Sequence, residues 1–334
     1  MTLRSKLRES PVLNVLLVTF PFFALVLAGF VAAKRGMLSL EAIPGLNGFV
    51  LFFALPCMLY RFGSTTPIAE LLNASVAGVY LLCGLVIVAF SIALTMNARI
   101  RWNDAAIGAM VASFPNSGFM GVPLLVALLG PAAAGPTILT ILVDMVVISS
   151  LCVALSRLES DGKSGEGGTR AMLVAGRKAL RGVVGNPMPW AILLGAAASA
   201  AQFTLPGPVQ TTVWLLADAA SPVALFTIGA VLARSQIQAN HPMPLSDYLP
   251  VVLIKLLLHP LLVLVVGLAA IQLGVPLDPF ALTVMVLVAA LPSASNVSLL
   301  AERLGADNGR IARIILVTTV MAFFTFSGAV ALMT

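Results

Sequence analysis

Two short runs in this sequence combine a helix-breaking proline with a row of small hydrogen-bonding side chains. Pro115-Asn116-Ser117-Gly118 lies within MVASFPNSGFMGVPLLVALLG at 110–130, and Pro292-Ser293-Ala294-Ser295-Asn296 lies within MVLVAALPSASNVSLLAERLG at 285–305. Both stretches begin Met-Val, reach proline in the middle of an apolar run and close on Leu-Gly. Proline donates no backbone hydrogen bond and its ring collides with the preceding turn, so each run predicts an interrupted helix. The N-terminus of a half-helix presents unpaired N–H groups and the positive end of a dipole, which suits an anion. Asn116, Ser117, Ser293, Ser295 and Asn296 add neutral hydrogen-bonding groups beside those ends, and Gly118, Gly121 and Pro123 loosen the first run further. A pair of kinks without a ligand would look the same one at a time. Their recurrence at corresponding places in two halves favours a binding site.

Four ionisable residues lie inside apolar stretches. Asp144 in TILVDMVV is either the site of a protonation that couples transport to a gradient or a structural partner at a break. Lys255 and His259 are four apart in LIKLLLHP and share a helix face. Lys255 can neutralise a bound carboxylate, pair with Asp144 or Asp218, or snorkel to the membrane interface. His259 is either a packing residue or a proton carrier. Asp218 precedes Pro222 in LLADAASPVALF. Asp104, Asp247 and Asp278 fall at the ends of apolar stretches and are expected as solvated caps.

No chemistry beyond binding is visible. There is no GxxxxGK[ST] loop, HExxH, GxSxG or Cys/His cluster, so neither ATP hydrolysis, metal catalysis nor a nucleophilic enzyme is expected, and no cofactor. Cys57, Cys83 and Cys152 sit in apolar runs without ligand spacing. Charged residues are only 10% of the chain and apolar ones 60%, too few charges to cover a water-facing surface. The net charge of +6 sits in short clusters between apolar runs, the pattern of membrane loops and not of a nucleic-acid surface.

The elements that position these residues are therefore membrane helices of about 20 apolar residues. Ten are expected, at 12–33, 44–62, 71–95, 105–129, 134–156, 186–203, 211–233, 249–273, 279–303 and 311–333. The first is long enough to span and follows a basic N-terminus, so no cleaved leader is expected. Residues 158–185, rich in Gly, Ser and charge, read as a linker that separates a five-helix unit at 1–157 from a second at 186–334, with RKALRG as a short interfacial helix. Lys and Arg divide four to fourteen between the two sides, so the positive-inside rule puts the linker in the cytoplasm and both termini outside. Five spans before the linker invert the second half, giving an all-α fold with a 5+5 inverted repeat and broken helices four and nine.

At these residues the sequence resembles the auxin efflux carrier family, which includes plant auxin transporters and bacterial malate and malonate permeases. The resemblance runs through TFPFFALVLAGFVAAKRGML, LNGFVLFFALPCMLYRF, PNSGFMGVPLL, DAASPVALFTIGAVLA and ALPSASN, nearly the whole chain. It implies crossover helices four and nine meeting near the midplane, with Pro115, Asn116, Pro292 and Ser293 at the crossing. It also implies secondary transport of an organic carboxylate by an elevator-like or rocking movement in the inner membrane, a homodimer, and a supporting role for Asp218. Plant members carry glutamine after the second proline, where this chain has Ser293, and bacterial members with short linkers transport small dicarboxylates. Proton and sodium coupling both stay open, sodium near Asn116 and Asn296, as do a bile-acid-type sodium symporter and an anion channel.

Overall fold

The computed structural model describes residues 11–67, 73–161, 185, 187–238 and 243–334. The basic N-terminus, nearly all of the expected linker and its interfacial helix lie outside the described residues. Twelve helical segments are described. They are α1 Pro11–Lys34, α2 Ile43–Thr65, α3 Ala74–Thr95, α4 Trp102–Ser113, α5 Ser117–Leu129, α6 Pro131–Arg157, α7 Pro187–Ala200, α8 Gly207–Gln238, α9 Leu245–Gln272, α10 Pro279–Ala290, α11 Val297–Arg303 and α12 Asn308–Met333. Seven of them, α1, α2, α3, α6, α8, α9 and α12, are long and apolar enough to cross a bilayer. No strand occurs among the described residues. The helix that contains α6 continues to Asp161, past the expected boundary at 157.

Apolar sequence makes these segments helical, because a helix satisfies its own backbone where water cannot. Three starts, those of α3, α10 and α12, carry side-chain caps. Asn73 accepts from the Val76 amide at 3.1 Å, Asp278 from Ala281 at 3.2 Å and Asp307 from Arg310 at 3.0 Å. Buried hydroxyls are absorbed within their own helices: Thr137, Thr318 and Thr319 each donate to a carbonyl four residues back, at 2.7–2.8 Å.

Burial runs opposite to that of a water-soluble protein. Phe20, Leu27, Leu215 and Phe324 are exposed, whereas Asp144, Lys255 and His259 are fully buried. Such a surface is suited to lipid.

The helices pack at two scales. α1 lies against α8 and α7 against α2, both at backbone distance. A Cβ at Gly29 would sit 1.8 Å from the Phe226 carbonyl oxygen, and one at Gly229 would sit 1.8 Å from that of Val26. At the second crossing, a Cβ at Gly195 would meet the Tyr60 oxygen at 2.6 Å, and one at Gly63 the Ile192 oxygen at 3.2 Å. Small residues allow this approach, and dispersion and close packing hold membrane helices together there. Elsewhere larger side chains intervene: α3 and α6 pack on α4, α10 on α9, and α9 on α3.

Gly29→Ala and Gly229→Ala should each force α1 and α8 apart, at about 1–3 kcal/mol. The measurement is thermal unfolding of the detergent-solubilised protein. Gly78→Ala, where an added Cβ meets nothing within 4 Å, should not lower the midpoint.

Candidate functional site

Both expected interruptions are present, and they meet. Helix stops at Ser113 and resumes at Ser117; it stops again at Ala290 and resumes at Val297. The extended residues between pair antiparallel, as a single bridge of Pro115 with Ser293. The Asn116 amide donates to the Pro292 carbonyl at 2.8 Å, and the Ala294 amide donates to the Phe114 carbonyl at 3.0 Å. Ser293 adds a third tie, its Oγ donating to the Val111 carbonyl at 2.9 Å. Each break thus satisfies backbone groups left open where the other helix stops, and the Val111 carbonyl, four residues before Pro115, is the one that the missing proline N–H frees.

Around this exchange nearly everything is closed. Pro115, Asn116, Ser117, Pro292, Ser293 and Ser295 are all buried, whereas Gly118 and Asn296 are partly exposed. A Cβ at Gly118 would meet nothing nearer than Leu55 Cδ2 at 3.8 Å, so the backbone there can be approached. Gly121, by contrast, is filled against Leu291 Cδ1 at 2.8 Å. The first amides of α5, those of Ser117, Gly118 and Phe119, have no acceptor within their own helix. Asn296 Oδ1 is buried without a hydrogen-bond partner among the described residues.

The first turn of α5 is a wide i→i+5 turn at Ser117–Gly121, followed by Pro123. The same combination occurs in α2 at Val50–Ala54 before Pro56, and in α9 at Ile254–Leu258 before Pro260. A missing N–H and a ring pressed on the preceding turn account for the widening. Asp144 lies in a fourth wide turn, Val143–Ile148, that no proline follows.

Asp144, Lys255 and His259 come together behind the crossing. Tyr80 donates to Asp144 Oδ2 at 3.1 Å, and Asp144 and Lys255 are close enough for their opposite charges to interact. Lys255 Nζ donates to the Ala289 carbonyl at 2.8 Å and lies 3.3 Å from His259 Nδ1. Lys255 thereby caps a carbonyl at the end of α10, two residues before Leu291 and the break. It is fully buried, so the snorkelling alternative does not apply. Asp144 Oδ1 and His259 Nε2 are buried with no hydrogen-bond partner among the described residues.

A model of the family described as "Membrane transport protein" matches residues 15–330 of this chain. The chain belongs to that family, the auxin efflux carriers. Among curated relatives, the "Putative malonate transporter" of Rhizobium meliloti (strain 1021) is 29% identical over 314 residues, 93% of each chain. The "Uncharacterized transporter YfdV" of Escherichia coli (strain K12) is 25% identical over 288 residues, 85% of this chain and 86% of that one, and its Shigella flexneri counterpart gives the same values. This is a multi-pass membrane protein of a transport family.

Within this family member, Asp218 is not drawn to Lys255. Its partner is Arg61 of α2, whose Nη1 lies 2.6 Å from Asp218 Oδ1. Nor are Asp104 and Asp247 free caps. Asp104 Oδ1 accepts from the Asp307 amide at 2.7 Å, and Asp247 is buried and paired with Arg99 at 3.3 Å. Between them lies Arg310, 2% exposed, which donates to the Asp247 carbonyl at 2.7 Å and to the Asp104 carbonyl at 2.8 Å. Arg310 ties the starts of α4, α9 and α12 together, and Gly108 makes room for it, since a Cβ there would be 2.7 Å from Nη1. From sequence it counted only as one more loop charge. The aspartate three residues before it was the available local signal of a cap, but not of burial. Asp278 does cap α10 as expected.

Lys255→Met should remove the counter-charge beside Asp144 and destabilise the protein by about 3–5 kcal/mol. Adding Asp144→Asn should recover much of that loss, a coupling that a double-mutant cycle of thermal unfolding would read.

Proposed function

We propose that the protein is a secondary active carrier of a small organic anion, a carboxylate of the malonate or malate class, bound where the two broken helices cross. The observation that carries this reading is the paired break. It leaves Gly118, in the first turn of α5, partly exposed beside Asn296, among Asn116, Ser117 and Ser293, which are buried. Free amides and a helix dipole favour a negative guest, and their worth rises where water is excluded. The name of the Rhizobium meliloti relative points to the same solute class.

The architecture we infer is ten spans in a 5+5 inverted repeat, with α4/α5 and α10/α11 as the broken fourth and ninth. The packing supports it. If α7–α12 repeat α1–α6, then the α1–α8 contact corresponds to α7–α2, and α3–α4 corresponds to α9–α10; both pairs are present. The crossing glycines follow the same rule. Gly29 and Gly195 are as far apart in sequence as Gly63 and Gly229, and as Pro56 and Pro222. On this reading α1, α2, α7 and α8 form a frame locked by backbone contact. The remaining helices, tied by Arg310 and by the crossing, move against it as an elevator or by rocking. The chain is placed in the inner membrane with its termini outside and its linker in the cytoplasm, following the distribution of Lys and Arg.

Asp144 is the proposed coupling group. It is buried, its Oδ1 has no hydrogen-bond partner among the described residues, and Lys255, whose charge it feels, holds the Ala289 carbonyl at the end of the broken helix α10. Proton occupancy of Asp144 changes the charge balance that holds Lys255 on that carbonyl.

The test is uptake of labelled malonate, malate and indole acetate into proteoliposomes under imposed pH or sodium gradients. Uptake of a dicarboxylate driven by the pH gradient is expected. Asn116→Ala should abolish it with expression intact, and normal uptake by that variant would refute the site. Asp144→Asn should flatten the pH profile; an unchanged profile would retire the coupling role, and a response to sodium alone would move coupling to the Asn116 and Asn296 side.

A further inference from the structure

Tyr80, Asp144, Lys255 and His259 are fully buried and come from α3, α6 and α9. Asp144 and Lys255 each sit in a wide i→i+5 turn, a distortion that recurs at functional sites in helices. The Lys255 ammonium has the surroundings that a free monovalent cation would need. Asp144 supplies a negative charge near enough to interact with it, and the Ala289 carbonyl at the end of α10 accepts from Nζ at 2.8 Å. His259 Nδ1 lies 3.3 Å from Nζ. An ammonium has three donors and no acceptor, so Nδ1 accepts in that contact and the His259 proton sits on Nε2.

A tie that only braced α9 to α10 would need no carboxylate, whereas an ammonium in a low-dielectric interior does. Asp144 is itself oriented by Tyr80, which donates to Oδ2 at 3.1 Å. Asp144 Oδ1 and His259 Nε2 have no hydrogen-bond partner among the described residues, so the cluster holds more hydrogen-bonding capacity than its own members use. The charge of Lys255 is carried on a flexible apolar stem, which makes head and tether separable parts.

We propose that this cluster is a binding site for a primary ammonium ion, built from the Asp144 carboxylate, the Ala289 carbonyl and His259 Nδ1, and that Lys255 is its tethered ligand. Charge and donors are what the site requires; the stem delivers them. Lys255→Ala removes the atoms of n-propylammonium and leaves room of that shape, as truncation in a packed interior leaves a hole that a matching guest can fill. Sodium brings charge but no N–H, so it suits a carbonyl and an imidazole less well. On the carrier reading, on which this consequence rests, the chain itself supplies the positive charge beside Asp144, and the cluster answers to protons without taking a sodium ion.

The experiment is thermal unfolding of the detergent-solubilised protein in n-propylammonium, tetramethylammonium or sodium chloride at equal ionic strength. The midpoint of Lys255→Ala should be about 2 °C or more higher in n-propylammonium than in tetramethylammonium, the shift expected at roughly tenfold excess over Kd. Sodium should do less. The wild type should not respond, because its own ammonium fills the site. Nor should Lys255→Met, which loses the charge but keeps an apolar chain in the space, or Lys255→Ala combined with Asp144→Asn, which has the room but no counter-charge. If Lys255→Ala unfolds on extraction, the yield of monodisperse protein with and without n-propylammonium throughout purification is the second measure. No shift in either measure, equal shifts in Lys255→Ala and Lys255→Met, a shift that survives Asp144→Asn, or a larger response to sodium would overturn the proposal. Loss of Lys255→Ala in every medium would do the same, since a free ion would then not replace the tethered one. The readout is binding and not transport: a wild type that takes up no carboxylate sinks the carrier reading and leaves this site standing.

Discussion

The structure depends on one constraint: a backbone polar group in a low-dielectric interior must find a partner, and two prolines deny it one within its own helix. Beyond the helix ends at Ser113 and Ala290, the Phe114 and Pro292 carbonyls have no partner in their own helix, and Asn116 and Ala294 each bring an amide in the same position. The two bonds between them, at 2.8 and 3.0 Å, solve both problems at once. Irregular backbone at such depth is tolerated only where protein or water covers it, and here each break covers the other. The crossing is thus held by mutual need, and it costs the molecule two continuous helices where other spans are unbroken.

The same constraint explains the placement of buried cations. Lys255 ends on the Ala289 carbonyl and Arg310 on those of Asp247 and Asp104, all near helix termini where carbonyls or first turns are exposed to the interior. Each cation also has carboxylates nearby. A charge so far from water is tolerable only when both Coulombic and hydrogen-bonding requirements are met. These two residues divide the work. Arg310 ties three helix starts together at one end of the bundle, while Lys255 joins the end of α10 to His259 of α9.

Helix packing differs between two regions of the molecule. Where α1 meets α8 and α2 meets α7, glycines bring backbones into contact and leave no side chain free to rearrange. Elsewhere a side chain fills the space beside a glycine, as Ile148 does at Gly84 and Leu282 at Gly267.

The sequence by itself determined the membrane class, the approximate helix limits and both interruptions, because those depend on residue type and local order. Pro115 and Pro292, each followed by small polar residues, interrupt their helices where Pro21 and Pro222 lie inside continuous ones, and a run of about twenty apolar residues suits a bilayer span. It also marked Asp144, Lys255 and His259 as unusual, since burial of charge is costly wherever the chain goes. Tertiary structure alone decided the partners. Arg61 and Asp218 are 157 residues apart, and Arg310 and the Asp104 carbonyl 206. A charge at the end of a span reads the same in sequence whether it faces water, snorkels to the interface or plugs a gap between helices. Only the packing of distant helices distinguishes those fates, because the energy that selects among them is set by which carbonyls and carboxylates the fold carries to within about 3 Å.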